Sequence, residues 1–209
     1  KGIKNDKFFF PKEIIKSKFL VKSKLNYAEN LLSKNDDSKA VTFISENGYR
    51  EEKSWKELNN NTLKFINFLK ENKIKEKDRI AAYTVNQIET VEGFLATSAI
   101  GAIWSSCSPD FGTQGVIERF SQIKPKLLII TDRYYYNGKE INIIERLPAI
   151  LKKIKSIKSV LIINYPGKKN LKQKKVKGVN FFYYKKLRDT KETKFQFKKF
   201  DFDKELAIL

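Results

Sequence analysis

Two short segments of the chain are aliphatic at every position, Leu127-Leu128-Ile129-Ile130 and Val160-Leu161-Ile162-Ile163. A strand with one wet face alternates apolar and polar residues. A strand that is apolar throughout is covered on both faces. Such strands belong to parallel sheets, because the helical crossovers that join parallel strands lie over both faces. This feature restricts the chain to α/β architectures. Asp78 to Val85 and Ala102 to Cys107 read as further strands, and Phe181 to Tyr184 as a short one.

The segments between them carry helical spacing. Ser54 and Glu57 form a capping-box pair ahead of a stripe made by Leu58, Phe65, Ile66 and Leu69. Asn86 and Glu89 are expected to cap a second helix that runs to about Ile100 and ends at Gly101. Thr113 to Ile123 is a third helix, stopped by Pro125. Ile141 to Lys155 is a fourth, with a kink expected at Pro148. Ahead of these, Val41 to Ser45 and Tyr49 to Lys53 flank the turn Glu46-Asn47-Gly48 and predict a hairpin. Lys168 to Gly178 is a lysine-rich surface loop, and Glu205 to Leu209 opens another strand. The expected fold is a partial doubly wound, mainly parallel sheet with helices on both faces.

Composition removes whole classes of chemistry. With no histidine and one cysteine, Cys107, the chain has no Ser-His-Asp or Cys-His system, no internal disulfide and no multi-cysteine zinc site. A lone cysteine fits a reducing compartment, and cytoplasmic residence is expected. No apolar run is long enough to span a bilayer, and Lys1 to Phe10 lacks the apolar core of a secretory signal. The net charge of +19 points either to a nucleic-acid surface or to a solvated lysine coat. The lysines are spread along the chain and arginine is scarce, which favours the coat. A basic nucleic-acid-binding module on Lys152 to Lys177 stays as an alternative.

Ligands of open α/β sheets bind beyond the carboxyl ends of the strands. Two loops lie at such ends, Ser108-Pro109-Asp110-Phe111-Gly112 and Asp132 to Lys139. The right-handed crossover rule places them on one edge of the sheet. Together they offer backbone amides around Pro109 and Gly112, the cations Arg133 and Lys139, and the rings of Tyr134, Tyr135 and Tyr136. Amides and a cation suit phosphate; tyrosine rings suit a purine. The plainer alternative has the tyrosines packing the loop and Lys139 in solvent. No GxGxxG and no GxxxxGK[ST] occurs. Asp110 has no second carboxylate beside it and is expected to cap the next turn. Cys107 has no base and reads as a small buried residue. The sequon Asn60-Asn61-Thr62 lies inside a helix and is discounted as a glycosylation site.

Longer segments are more specific. Leu25-Asn26-Tyr27-Ala28-Glu29-Asn30-Leu31-Leu32, Gly101-Ala102-Ile103-Trp104-Ser105-Ser106-Cys107-Ser108-Pro109-Asp110-Phe111-Gly112, Arg119-Phe120-Ser121-Gln122-Ile123-Lys124-Pro125-Lys126 and Tyr135-Tyr136-Asn137-Gly138-Lys139 occur in that order. In this the chain resembles the adenylate-forming acyl-CoA synthetases, in the wording of their acetoacetate branch. The resemblance covers roughly residues 8 to 165. It implies residues 1–38 as an N-terminal extension and 39–209 as an incomplete AMP-binding domain. It implies ATP-dependent activation of acetoacetate through an acyl-adenylate, with ATP, Mg2+ and CoA as cofactors and acetoacetate as substrate. Another short-chain acid such as acetate is the runner-up. It also implies that the phosphate loop, adenine site, metal site and catalytic lysine lie outside this chain, which carries no catalytic residue and needs the rest of its polypeptide. Part of the CoA site is implied at Pro109, Asp110, Phe111, Gly112, Tyr136 and Lys139. Lys139 stands where the family has one arginine, and Tyr136 stands in place of a second, a departure that removes a cation.

Overall fold

The computed structural model describes residues 12–168, 171, 176–190 and 194–209. Its elements are β1 (Lys24–Leu25), α1 (Tyr27–Leu31), β2 (Lys39–Ile44), β3 (Arg50–Ser54), α2 (Trp55–Glu71), β4 (Arg79–Tyr83), α3 (Ile88–Ala99), β5 (Ile103–Cys107), α4 (Thr113–Ile123), β6 (Leu127–Thr131), β7 (Arg133–Tyr136), β8 (Lys139–Asn142), α5 (Leu147–Lys153), β9 (Ser159–Ile163), β10 (Asn180–Tyr183), α6 (Tyr184–Arg188) and β11 (Phe200–Asp201). Five strands form one sheet in the order β10-β9-β6-β4-β5, and every pair in it is parallel.

The two aliphatic runs become β6 and β9, hydrogen-bonded side by side and buried at every residue. Their side chains alternate between two cores, as the pleat requires. Ile80, Ala82, Leu127, Ile129, Leu161 and Ile163 face one core with Phe65, Leu69, Leu95 and Tyr184 from α2, α3 and α6. Ala81, Tyr83, Leu128, Ile130, Val160 and Ile162 face the other with Val116, Phe120, Leu147 and Ile150 from α4 and α5. Helices therefore cover both faces, as the apolar strands demand.

Local signals explain most element ends. The Ser54 hydroxyl accepts from the Glu57 amide at 3.2 Å, and the Glu57 carboxylate accepts from the Ser54 amide at 2.8 Å. Both halves of the capping box are present. Ser54→Ala is expected to cost about 1 kcal/mol in urea unfolding, with Ser54→Thr recovering most of it. An unchanged midpoint for the alanine variant would remove the cap from the account. The helix predicted after Thr113 runs over the predicted residues, and Lys124 ends it in a left-handed conformation ahead of Pro125.

Three expectations need correction. Gln87, not Asn86, is the N-cap of α3, without a side-chain bond, and Glu89 is buried. The segment 132–139 is not an open loop. Asn137 and Gly138, both at positive φ, join β7 and β8 in a tight antiparallel hairpin. Pro148 kinks nothing, because Ile141 and Asn142 belong to β8 and proline stands in the first turn of α5, where its missing N–H has no partner to lose.

The end of the chain also joins the sheet. Trp104 donates its amide to the Leu206 carbonyl at 3.1 Å, and Ile208 donates to the Trp104 carbonyl at 2.8 Å. This starts a parallel partner on the outer edge of β5. The predicted loop 168–178 lies largely outside the described residues, as does the segment 1–10. No helix among the described residues is long and apolar enough to cross a membrane.

Candidate functional site

Counted in chain order from β4, the sheet runs 2-1-3-4-5 from the β5 side. Its direction of winding reverses between β4 and β6, and at such a point the strand-end loops diverge and leave a crevice. The crevice is present. A cleft of about 330 Å³ is lined by Thr84 and Asn86 after β4, by Ser108, Pro109 and Asp110 after β5, and by Tyr134 to Tyr136 after β6. The two loops that topology placed on one edge thus share one cleft.

The candidate residues occupy different positions around it. Pro109 is buried and lines the cleft. Asp110 is exposed; Ser108 donates to its carboxylate at 2.8 Å, and its amide donates back to the Ser108 hydroxyl at 3.3 Å. These bonds close a local turn with Ser108; the expected cap on the next turn is not formed, since α4 has Gly112 as its N-cap and no side-chain cap bond. Phe111 lies outside the lining, 39% exposed, with the Arg119 guanidinium 4.4 Å from its ring centre. Gly112 is the N-cap of α4 at φ −62, and an added Cβ would meet nothing within 4 Å. Neither backbone nor packing therefore requires glycine there. Tyr136 lines the cleft and is 58% exposed. Lys139 is its partner across β7–β8 and is exposed at the rim, outside the lining.

The other expected contributors are committed elsewhere. Arg133 is buried, 3.2 Å from the fully buried Asp132 and 2.8 Å from Glu140, so it ties the hairpin down and is not a ligand cation. Asp132 also accepts from the Tyr165 amide at 2.8 Å and from Asn164 at 3.1 Å. Tyr134 is buried, and burial pushes its phenol up. Tyr135 donates to Glu140 and packs against Tyr165 at 5.2 Å. Of the three rings, Tyr136 is the exposed one. Cys107 is buried and free, and burial pushes its thiol up, as suits a packed residue.

The lining is polar but carries no lysine or arginine among the described residues; Glu46 and Asp110 are its charged groups. Carboxylates there would accept from amino and hydroxyl groups and repel phosphate. A ligand with both would place its phosphate at the rim, near Lys139. Thr84 adds a group the sequence did not flag: its hydroxyl is buried and has no hydrogen-bond partner among the described residues.

Two further residues were not legible beforehand. The Tyr83 hydroxyl donates to the Phe111 carbonyl and lies 3.1 Å from that of Pro109. Arg146 donates from one nitrogen to the Tyr83 oxygen, to the Pro109 carbonyl at 3.0 Å and to the Phe111 carbonyl at 3.1 Å. Tyr83 showed only as a strand-end aromatic. Nothing near Arg146 in sequence marks it, because its partners come from two other loops.

Beneath the opposite face, α3 buries two carboxylates. Glu92 accepts from Asn61 at 2.8 Å and from the Tyr184 hydroxyl. Burial pushes its carboxyl up to about 8, with the nearby Glu89 adding to the shift. Burial also raises Glu89. Asn60, the acceptor of the sequon, lies inside α2, which agrees with discounting it. No group of three or more metal-ligating side chains lies together among the described residues.

A twisted parallel sheet, helices on both faces and a polar cleft at the winding reversal define an open doubly wound α/β domain with a strand-end ligand site. The chain belongs to the AMP-binding enzyme family, whose profile matches residues 29–194. It is 41% identical over 145 residues to an acetoacetyl-CoA synthetase of Gallus gallus, covering 68% of this chain and 22% of that protein. It is 40% identical over 154 residues to an acetoacetyl-coenzyme A synthetase of Rhizobium meliloti (strain 1021), covering 74% of this chain and 23% of that protein. A solved acetoacetyl-CoA synthetase from Streptomyces lividans superposes with a TM-score of 0.82 at 26% identity, over 92% of this chain and 29% of its own. The chain thus spans less than a quarter of the length of these sequence relatives.

Proposed function

We propose that this chain is part of an acetoacetate–CoA ligase and supplies one wall of its CoA site. In that reaction a carboxylate oxygen of acetoacetate attacks the α-phosphorus of ATP and pyrophosphate leaves. The CoA thiol, losing its proton, then attacks the acyl carbon and AMP leaves with the former carboxylate oxygen. The observation that supports this reading is the single cleft made by the Ser108–Gly112 loop and the Tyr-rich hairpin.

In it, Tyr136 offers a ring face to the adenine, Glu46 and Asp110 accept from amino or hydroxyl groups, and Lys139 meets a phosphate at the rim. Pro109 completes the wall, and Phe111 and Gly112 would meet CoA only outside the lining. Mg2+ would accompany ATP, held by residues other than those described; the described residues bring no three metal-ligating side chains together. The same reading takes residues 1–38 as an extension of an incomplete AMP-binding domain that begins at 39. It places the protein in the cytoplasm, in lipid metabolism, with acetoacetate, ATP, CoA and the remaining polypeptide as its partners.

The test uses the complete polypeptide that contains this segment. Acetoacetate-dependent ATP–pyrophosphate exchange is expected, followed by thioester formation when CoA is added. Exchange with acetate and none with acetoacetate would move the protein to the acetate branch. Absence of both, with binding to DNA that falls steeply as salt rises, would replace the ligase reading by the basic module. Lys139→Glu is expected to raise the KM for CoA about tenfold relative to the KM for ATP, since it reverses a charge at a phosphate contact.

A further inference from the structure

We infer that Arg146, acting with Tyr83, is a positioning residue that fixes the direction of the Ser108–Gly112 loop for CoA. The inference rests on the reading above of that loop as a CoA contact.

Three separate parts of the chain meet at this point. Tyr83 is the last residue of β4, fully buried, with its ring in the core between the sheet and α4–α5. Its hydroxyl is held where the strand ends and cannot swing. Arg146 stands at the N-cap of α5. Its guanidinium reaches back across the sheet end to the same two loop carbonyls that the Tyr83 hydroxyl addresses. The carbonyls of Pro109 and Phe111 are therefore gathered on one side of the loop by a cation and a phenol. A hydrogen bond from a charged donor is about twice as strong as a neutral one, and this donor is shared by two acceptors on one short loop.

The geometry has a directional result. All peptides here are trans, and a trans peptide points its N–H opposite to its C=O. With the Phe111 carbonyl turned in toward Arg146, the Gly112 amide is turned the other way. The Pro109 carbonyl does the same for the Asp110 amide, which meets the Ser108 hydroxyl. Gly112 adds no side chain on the turned-out side, and the space where a Cβ would stand is open. Arg146 thus sets the direction of the Gly112 amide, since the Asp110 and Phe111 amides are both taken by Ser108. It lies outside the cleft lining and takes no part in the contact itself. Loss of the guanidinium would free both carbonyls to rotate, and the outward amide would go with them.

The effect is read on the complete polypeptide with Arg146→Gln, Arg146→Lys and Tyr83→Phe. Arg146→Gln is expected to raise the KM for CoA at least tenfold more than the KM for ATP or acetoacetate. Arg146→Lys keeps the charge and one donor direction, and is expected to recover part of that loss. Tyr83→Phe leaves Arg146 with its two carbonyls and should shift the KM for CoA only a few-fold. Hydrogen exchange at residues 110–112 should quicken at least tenfold in Arg146→Gln, with β6 and α4 amides at wild-type rates. An effect spread equally over all three substrates, or a lysine variant as weak as glutamine, would assign Arg146 to general stability and overturn the inference. Unchanged CoA kinetics and unchanged loop exchange would do the same. A wild-type protein that makes no acyl-CoA while Arg146→Gln still loosens the loop would instead overturn the ligase reading and remove CoA from the inference.

Discussion

Replacing Glu92 by glutamine is expected to stabilise the protein at pH 8 and to flatten its stability between pH 5 and 8. Glu92 is almost wholly buried beside Tyr184 and Asn61. Its carboxyl sits near 8 in the fold, against an ordinary value of 4.5. Below 4.5 both folded and unfolded chains hold the proton, and the neutral acid is at no disadvantage. Between 4.5 and 8 the unfolded chain releases its proton and the folded chain retains it. Stability therefore falls as pH rises through this window, and the loss is complete above about 8. Glu89 is shifted the same way and adds to the slope. The loss attached to Glu92 is on the order of 5 kcal/mol. Glutamine keeps an acceptor for Asn61 and a donor for the tyrosine oxygen, and never ionises. Urea unfolding at pH 5.5, 7 and 8 measures both proteins. Parallel curves would mean that the native carboxyl is ionised throughout.

The second large effect is expected at Gly101. This residue follows the end of α3 at φ +72, a conformation that side chains disfavour. Its amide donates to Ser98 at 3.1 Å, and its carbonyl accepts from Lys77 at 2.9 Å, so the turn cannot relax without breaking both. An alanine Cβ would also stand 2.5 Å from the tip of the Phe200 ring. That ring is buried at the β1–β11 pairing and would have to shift away from the new methyl. Gly101→Ala is expected to cost about 3 kcal/mol, from the left-handed backbone and overpacking together. Adding Phe200→Leu should return part of the overpacking share. A double variant no more stable than the sum of the two single losses would show that Phe200 is not what the Cβ strikes.

The layered fold was legible because its signals are local and agree with one another. The aliphatic runs, the Ser54–Glu57 cap and the Lys124-Pro125 stop each act within a few residues. The hairpin at Asn137-Gly138 was read as a loop, because the tyrosine-rich composition around the turn pair masked the strand pattern. Pro148 was misplaced because a helix start and a helix kink present the same residue. The site was half legible. Topology brought the two strand-end loops to one rim, yet it gave no hint that Arg133 would be spent on Asp132 and Glu140. Nor did it show that Tyr83 and Arg146 would converge on Pro109 and Phe111. Those contacts join segments that only the folded sheet brings together, and a linear pattern holds no trace of them.

The pairing of Trp104 with Leu206 and Ile208 bears on how the protein is made. During synthesis β4, β5 and β6 can assemble before residues 206–208 leave the ribosome. Throughout that interval the outer side of β5 offers an unpaired backbone edge next to an apolar tryptophan, a template for a strand from another nascent chain. Shortened versions ending between Arg188 and Phe200 keep that edge open for good, and are expected to self-associate and to depend on chaperones where the longer chain does not.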